Sequence, residues 1–177
     1  MPQPQTRYAR AGESYIAYQV VGEGPMDLIY AGGLVTHADL SWDFPEAERF
    51  LMRLASFSRL VLFDRRGAGL SDRMPGNVVP SAEDWAEDLR VVMDTVGSTK
   101  AVVYAERDAG PVAMLFAANH PERVAALILS NTTARYARAP DYPCGQPPEL
   151  SEQMYNTMLE HWGTPRMAAV AVPSRAG

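Results

Sequence analysis

Short apolar runs alternate with stretches of helical periodicity along this chain, and glycine- and proline-bearing turns separate them. Tyr15–Val21, Asp27–Tyr30, Leu60–Phe63, Ala101–Tyr104 and Val124–Leu129 are too short for helices and apolar enough for strands, most of them buried. One more short strand is expected around Thr6–Arg10. Pro45–Phe57 reads as a helix, with proline in its first turn and Phe50, Leu51, Leu54 and Phe57 on one face. A second helix starts after Ser81, which caps it with Asp84 three residues on. It buries Trp85, Leu89, Val92, Met93 and Val96 and stops at Gly97. A third runs from Pro111 with Val112, Leu115 and Phe116 inward. It ends at Asn119-His120-Pro121, because the residue before a proline is pushed out of the α region. After Ser130 the periodicity fails through a proline-rich stretch to Pro148. Glu149–His161 then reads as a last helix with Met154, Met158, Leu159 and Trp162 inward.

The centre of this pattern is Ala101–Ser130: strand, sharp turn over Ala105–Gly110, helix, strand. A parallel strand–helix–strand unit with a tight first turn is where α/β enzymes hold their reacting group. Two other turns carry candidate chemistry. Ala31-Gly32-Gly33-Leu34 follows a strand, and its glycines alone imply only a tight turn. Asp64–Arg73, DRRGAGLSDR, is a loop whose glycines allow close turns and whose Asp64 and Arg66 can knit it by charge-assisted hydrogen bonds. It lacks the Gly-Lys-Ser/Thr of a nucleotide loop, and Asp64, Asp72 and Asp84 form no metal pattern. No metal and no cofactor are expected.

Composition narrows the class. At 177 residues the chain is about one domain long and can bury a core. A net charge of −5 argues against a nucleic-acid partner, since phosphate binding needs a basic face. Cys144 is the single cysteine, so no internal disulfide forms. The N-terminal stretch MPQPQTRYARAG lacks the apolar core of a signal peptide, and no run approaches the ~18 apolar residues of a membrane span. A soluble, cytoplasmic protein without membrane partners is expected.

RLVLFDRRGAGLSDR (Arg59 to Arg73), DLRVVMDTVG (Asp88 to Gly97) and the turn-plus-helix ending in HPERV together resemble the α/β-hydrolase fold. Within it they look like the bacterial proline-iminopeptidase/esterase type, including hydrolase domains found beside class III nucleotide cyclases. The resemblance runs from about Tyr15 to Trp162. It implies an α/β architecture: a parallel-dominated sheet of about six strands ordered 1-2-4-3-5-6, helices on both faces, and the last strands lacking. It also implies an incomplete hydrolase core over 1–133 and the start of a cap, with an irregular tail, over 134–177.

In that family the elbow reads G-x-S-x-G, with a serine between strand and helix. Aligned on Gly110-Pro111, the five positions here are Ala105-Glu106-Arg107-Asp108-Ala109, so Arg107 stands at the nucleophile position. The resemblance implies oxyanion-hole donors at the backbone N–H groups of Leu34 and Asp108, and substrate contacts at Gly33 and His37. A surface histidine or an Asp39 partner is the plainer account of His37. Guanidinium stays protonated and is no nucleophile. None of the three histidines sits on the loop that carries the family's base, and the chain stops before the strands bearing the acid and the histidine. The expectation is a truncated, catalytically defective relative of ester and peptide hydrolases, with Glu106, Arg107 and Asp108 as a local charge cluster. Two alternatives stay open. One is a pseudo-hydrolase module that binds a small-molecule carboxylate through Arg107. The other is an active hydrolase with Asp108 as nucleophile, in a D-x-G elbow resembling haloalkane dehalogenases and epoxide hydrolases. Without later strands, Val124–Leu129 would expose its edge and favour self-association.

Overall fold

The short apolar runs become one six-stranded sheet in the computed structural model, which describes residues 3–76 and 78–167. Strands β1 (Arg7–Ala11) and β2 (Ser14–Val21) form a hairpin, followed by β3 (Asp27–Ala31), β4 (Arg59–Phe63), β5 (Ala101–Glu106) and β6 (Val124–Ser130). Their order across the sheet is β1-β2-β4-β3-β5-β6, as expected from the resemblance. The pairs β1–β2 and β2–β4 are antiparallel; β4–β3, β3–β5 and β5–β6 are parallel. Ala101–Tyr104 therefore lies in an interior strand, paired on both sides.

Alternation along each strand sorts the core into two layers, because successive side chains point to opposite faces. Ile29, Val61 and Val103 join Leu89, Val92, Met93, Ala113 and Phe116 from helices α2 (Ala82–Thr95) and α3 (Ala109–Asn119). Leu28, Leu60 and Leu62 join Leu51 and Ala55 from α1 (Pro45–Ala55) on the other face. Fully burying a side chain such as Phe116 or Leu89 stabilises the fold by roughly 1.5–3 kcal/mol. Ser81 and Asp84 close the expected capping box at the start of α2.

Four details differ from the periodicity. Helix α1 stops at Ala55, and Phe50 and Phe57 remain exposed while Leu51 is buried. Helix α3 begins at Ala109, two residues before Pro111, so the sharp turn is shorter than the sequence suggests. Strand β6 is not buried: Ala125, Ala126, Ile128 and Leu129 are exposed, because β6 pairs with β5 alone at the edge of the sheet. Helix α4 (Pro148–His161) forms but buries nothing, and Met154, Met158, Leu159 and Trp162 are exposed instead of inward.

The chain divides into two compact units between Ala134 and Arg135. In the second, Ala137 bridges Gln146 and Ala139 bridges Tyr142, and α4 follows. No helix among the described residues is long and apolar enough to cross a membrane.

Candidate functional site

Only Arg107 and Asp108 separate β5 from α3. So abrupt a change of direction takes one residue into the left-handed region, and Arg107 is that residue, with φ of 52°. For a residue with a side chain this costs about 1–2 kcal/mol, so neighbours must hold it. The Arg107 N–H donates to the Ser130 carbonyl at 3.1 Å, and its own carbonyl accepts the Gly110 N–H at 3.2 Å. Thr132 Oγ1 donates to that same carbonyl and packs where a side chain on Gly110 would have to go. The Arg107 side chain stands exposed at the crest of the turn. Asp108, at φ −75°, already lies in helical space as the N-cap of α3.

The glycine turn after β3 meets this elbow. The Leu34 N–H, one of the two expected oxyanion donors, donates to Asp108 Oδ1 at 2.9 Å. Gly33 makes the approach feasible, since a Cβ there would lie 2.6 Å from Asp108 Oδ1. Asp108 Oδ2 pairs with the guanidinium of Arg65. The Arg65 side chain is only 6% exposed, and its guanidinium carbon sits 4.0 Å over the Trp85 ring. Its Nε and Nη1 have no hydrogen-bond partner among the described residues. Arg65 also lines a small, partly open cavity of about 20 Å³, walled by Gly32, Phe63, Trp85, Ala109 and Val112. That is room enough for a single water.

Glu106, Arg107 and Asp108 share no ion pair with one another among the described residues. Glu106 turns to the opposite layer, accepting hydrogen bonds from Tyr30 Oη at 2.8 Å and Tyr104 Oη at 3.2 Å. The two rings stack at 5.5 Å between centroids, and Phe50 meets both edge-on. Burial, and then the bond to Glu106, pushes the Tyr30 phenol far above its ordinary range, so it remains a donor. Asp64 and Arg66 also part company. Asp64 accepts the N–H groups of Ala38 at 2.9 Å and Leu70 at 3.0 Å, whereas the Arg66 guanidinium donates twice to the buried Asp88 on α2. Burial pushes the Asp88 carboxyl up, against the pull of Arg66.

Each histidine is engaged within its own neighbourhood. His37 Nδ1 accepts the Leu40 N–H at 3.2 Å, and the Asp39 carboxylate serves Thr6 and Gln19 instead of His37. His120 packs on Phe116 at the far end of α3, about 15 Å from the turn by helical rise. His161 lies beside Glu160 on α4. Among the described residues no group of three or more His, Cys, Asp or Glu could hold a metal ion.

Arg65 and Trp85 are the site residues that pattern reasoning missed. Arg65 is the unassigned position of the D-x-R-G loop, and Trp85 reads as one more apolar residue on α2. Tyr30 and Tyr104 had a faint signal: each is a phenol one residue before the end of its apolar run or at it, and they are register partners.

A family model for the alpha/beta hydrolase fold matches residues 32–172, and the chain belongs to that family. A Caulobacter segnis protein provisionally named carbamate hydrolase RutD is 37% identical over 76 residues, 43% of this chain and 28% of the relative. Epoxide hydrolase 1 of Caenorhabditis elegans is 36% identical over 91 residues, 51% of this chain and 21% of the relative. Among solved structures, the meta-cleavage product hydrolase CumD of Pseudomonas fluorescens IP01 superposes with a TM-score of 0.63 at 25% identity. That match covers 78% of this chain and 48% of the hydrolase. The chain thus spans about half the length of that solved relative, and its matches span a smaller share still of the two curated ones.

Proposed function

We propose that this chain is a hydrolase-family protein that performs no serine-type acyl transfer. The observation that carries the proposal is the carboxylate of Asp108 on the Leu34 N–H, 2.9 Å away, at the turn where an oxyanion would be stabilised. Beside it, the crest of the elbow presents a guanidinium in place of a hydroxyl. A nucleophile and a free donor are the two things an acyl transfer needs from this end of the sheet. Residues 134–177 would begin the segment that covers the site in longer relatives.

An aspartate nucleophile is the weaker reading. The crest residue is Arg107, not Asp108, and the Asp108 carboxylate is already committed to Leu34 and Arg65. Both donors withdraw the electron density that an attack on carbon requires. A small-molecule carboxylate held by Arg107 is favoured by one observation: the side chain is exposed, and none of the ion pairs among the described residues includes it.

The test is turnover of p-nitrophenyl esters and proline-aminoacyl substrates by the purified chain. The expected rate equals that of buffer. Arg107→Ser alone should not restore turnover, because Asp108 still holds the Leu34 N–H. Robust turnover lost in Arg107→Ala would overturn the proposal. Turnover lost in Asp108→Ala would replace it with the aspartate mechanism.

A further inference from the structure

The contact between Asp108 and the glycine turn has the chemistry of a bound ligand. One carboxylate oxygen takes a backbone N–H, that of Leu34, and the other takes a guanidinium, that of Arg65. A backbone donor and an arginine are what proteins use to hold a free carboxylate. The seat is shaped for the group, because only a glycine at position 33 leaves room for Oδ1.

Arg65 makes the seat obligatory. Its side chain is almost wholly buried, and Asp108 is the acid it pairs with among the described residues. It also meets the Trp85 ring and the apolar walls of the small cavity, and two of its nitrogens, Nε and Nη1, find no partner among the described residues. A buried cation stripped of its counter-charge is strongly unfavourable, so Arg65 without Asp108 would demand another anion. We propose that the Leu34 N–H and Arg65 form a receptor for a small monocarboxylate, which Asp108 fills from within the chain. An outside carboxylate binds there only where Asp108 is removed or moved aside. The inference rests on the same turn as the proposed function, and on no assumption about turnover.

Asp108→Ala empties the seat, and formate is the probe. Melting temperatures are read in sodium formate against sodium chloride at matched ionic strength. Wild-type protein should show no formate-specific shift. Asp108→Ala should melt below wild type and regain roughly 3 °C at ~100 mM formate, saturably, as expected for a site of ~10 mM affinity. Arg65→Met combined with Asp108→Ala removes the stranded cation, and should melt above Asp108→Ala and ignore formate. If Asp108→Ala does not fold in chloride, refolding yield in formate against chloride replaces the melting temperature, with the same expectations. Three results would overturn the inference: no formate effect in Asp108→Ala, an equal effect in the double variant, or an equal effect in wild type. Esterase activity enters none of these readouts, so they fail or succeed separately from the proposed function.

Discussion

At the scale of single residues, burial decides which charges matter. Arg66 and Asp88 are bonded twice over, and Asp88 is fully buried. Asp88→Ala leaves the guanidinium only the half-exposed Asp84 carboxylate, 3.7 Å away, and the expected loss is about 3 kcal/mol. Arg90 makes ion pairs of similar length with Glu87 and Asp94, but on the exposed face of α2. Glu87→Ala should therefore cost only about 0.3–0.5 kcal/mol. Urea denaturation with an unchanged m-value reads both numbers, and equal losses would refute the argument from burial. The left-handed Arg107 belongs to this scale too. Arg107→Gly relieves its backbone strain and should raise stability by up to about 1 kcal/mol if Ser130 and Thr132 keep their bonds to the turn.

At the scale of elements, the sheet is tied laterally by more than its backbone ladder. Asp27 of β3 and Arg59 of β4 are register partners, and the guanidinium holds both carboxylate oxygens, at 2.6 and 2.7 Å. Hydrogen bonding to Arg59 depresses the Asp27 pKa below its ordinary 3.8, against the cost of burial. A folded-state value below the unfolded one means that this contribution is complete above about pH 4. It is lost as pH falls through the depressed value. Stability measured from pH 6 down to 2 should fall less steeply in Asp27→Asn than in wild type, and parallel curves would remove Asp27 from the account.

Elements are also what the amino-acid pattern makes legible. The capped α2 and the elbow's position follow from apolar runs, glycines and one proline, which act locally, whereas the strand order comes only with the family resemblance. What escaped is set by distant neighbours. Whether β6 and α4 bury their apolar residues depends on what lies against them, and no periodicity within either segment records that. Likewise Glu106, Arg107 and Asp108 are adjacent in sequence, yet a strand-to-helix turn sends them in different directions. Glu106 goes to the tyrosines and Asp108 to Arg65.

At the scale of the molecule, the sheet is asymmetric. Its β1 edge is a hairpin, whereas β6 offers an apolar, uncharged edge with Ile128 and Leu129 exposed on opposite faces. Edges without charge or proline are prone to pair with other chains. The 177-residue chain should associate with itself in sedimentation velocity at micromolar concentration, and Ile128→Lys should shift it towards monomer. A monomeric wild type whose β6 amides resist exchange would contradict this. The strand order has another consequence, and it concerns synthesis. Strand β3 lies between β4 and β5, both of which follow it in the chain. As the protein leaves the ribosome, Leu28 and Ile29 have no flanking strand until Arg59–Phe63 emerges, and no second one until Ala101–Glu106 does. At ~5–20 residues per second that wait lasts roughly 4–15 s, long enough for a chaperone to find β3 before its own neighbours do.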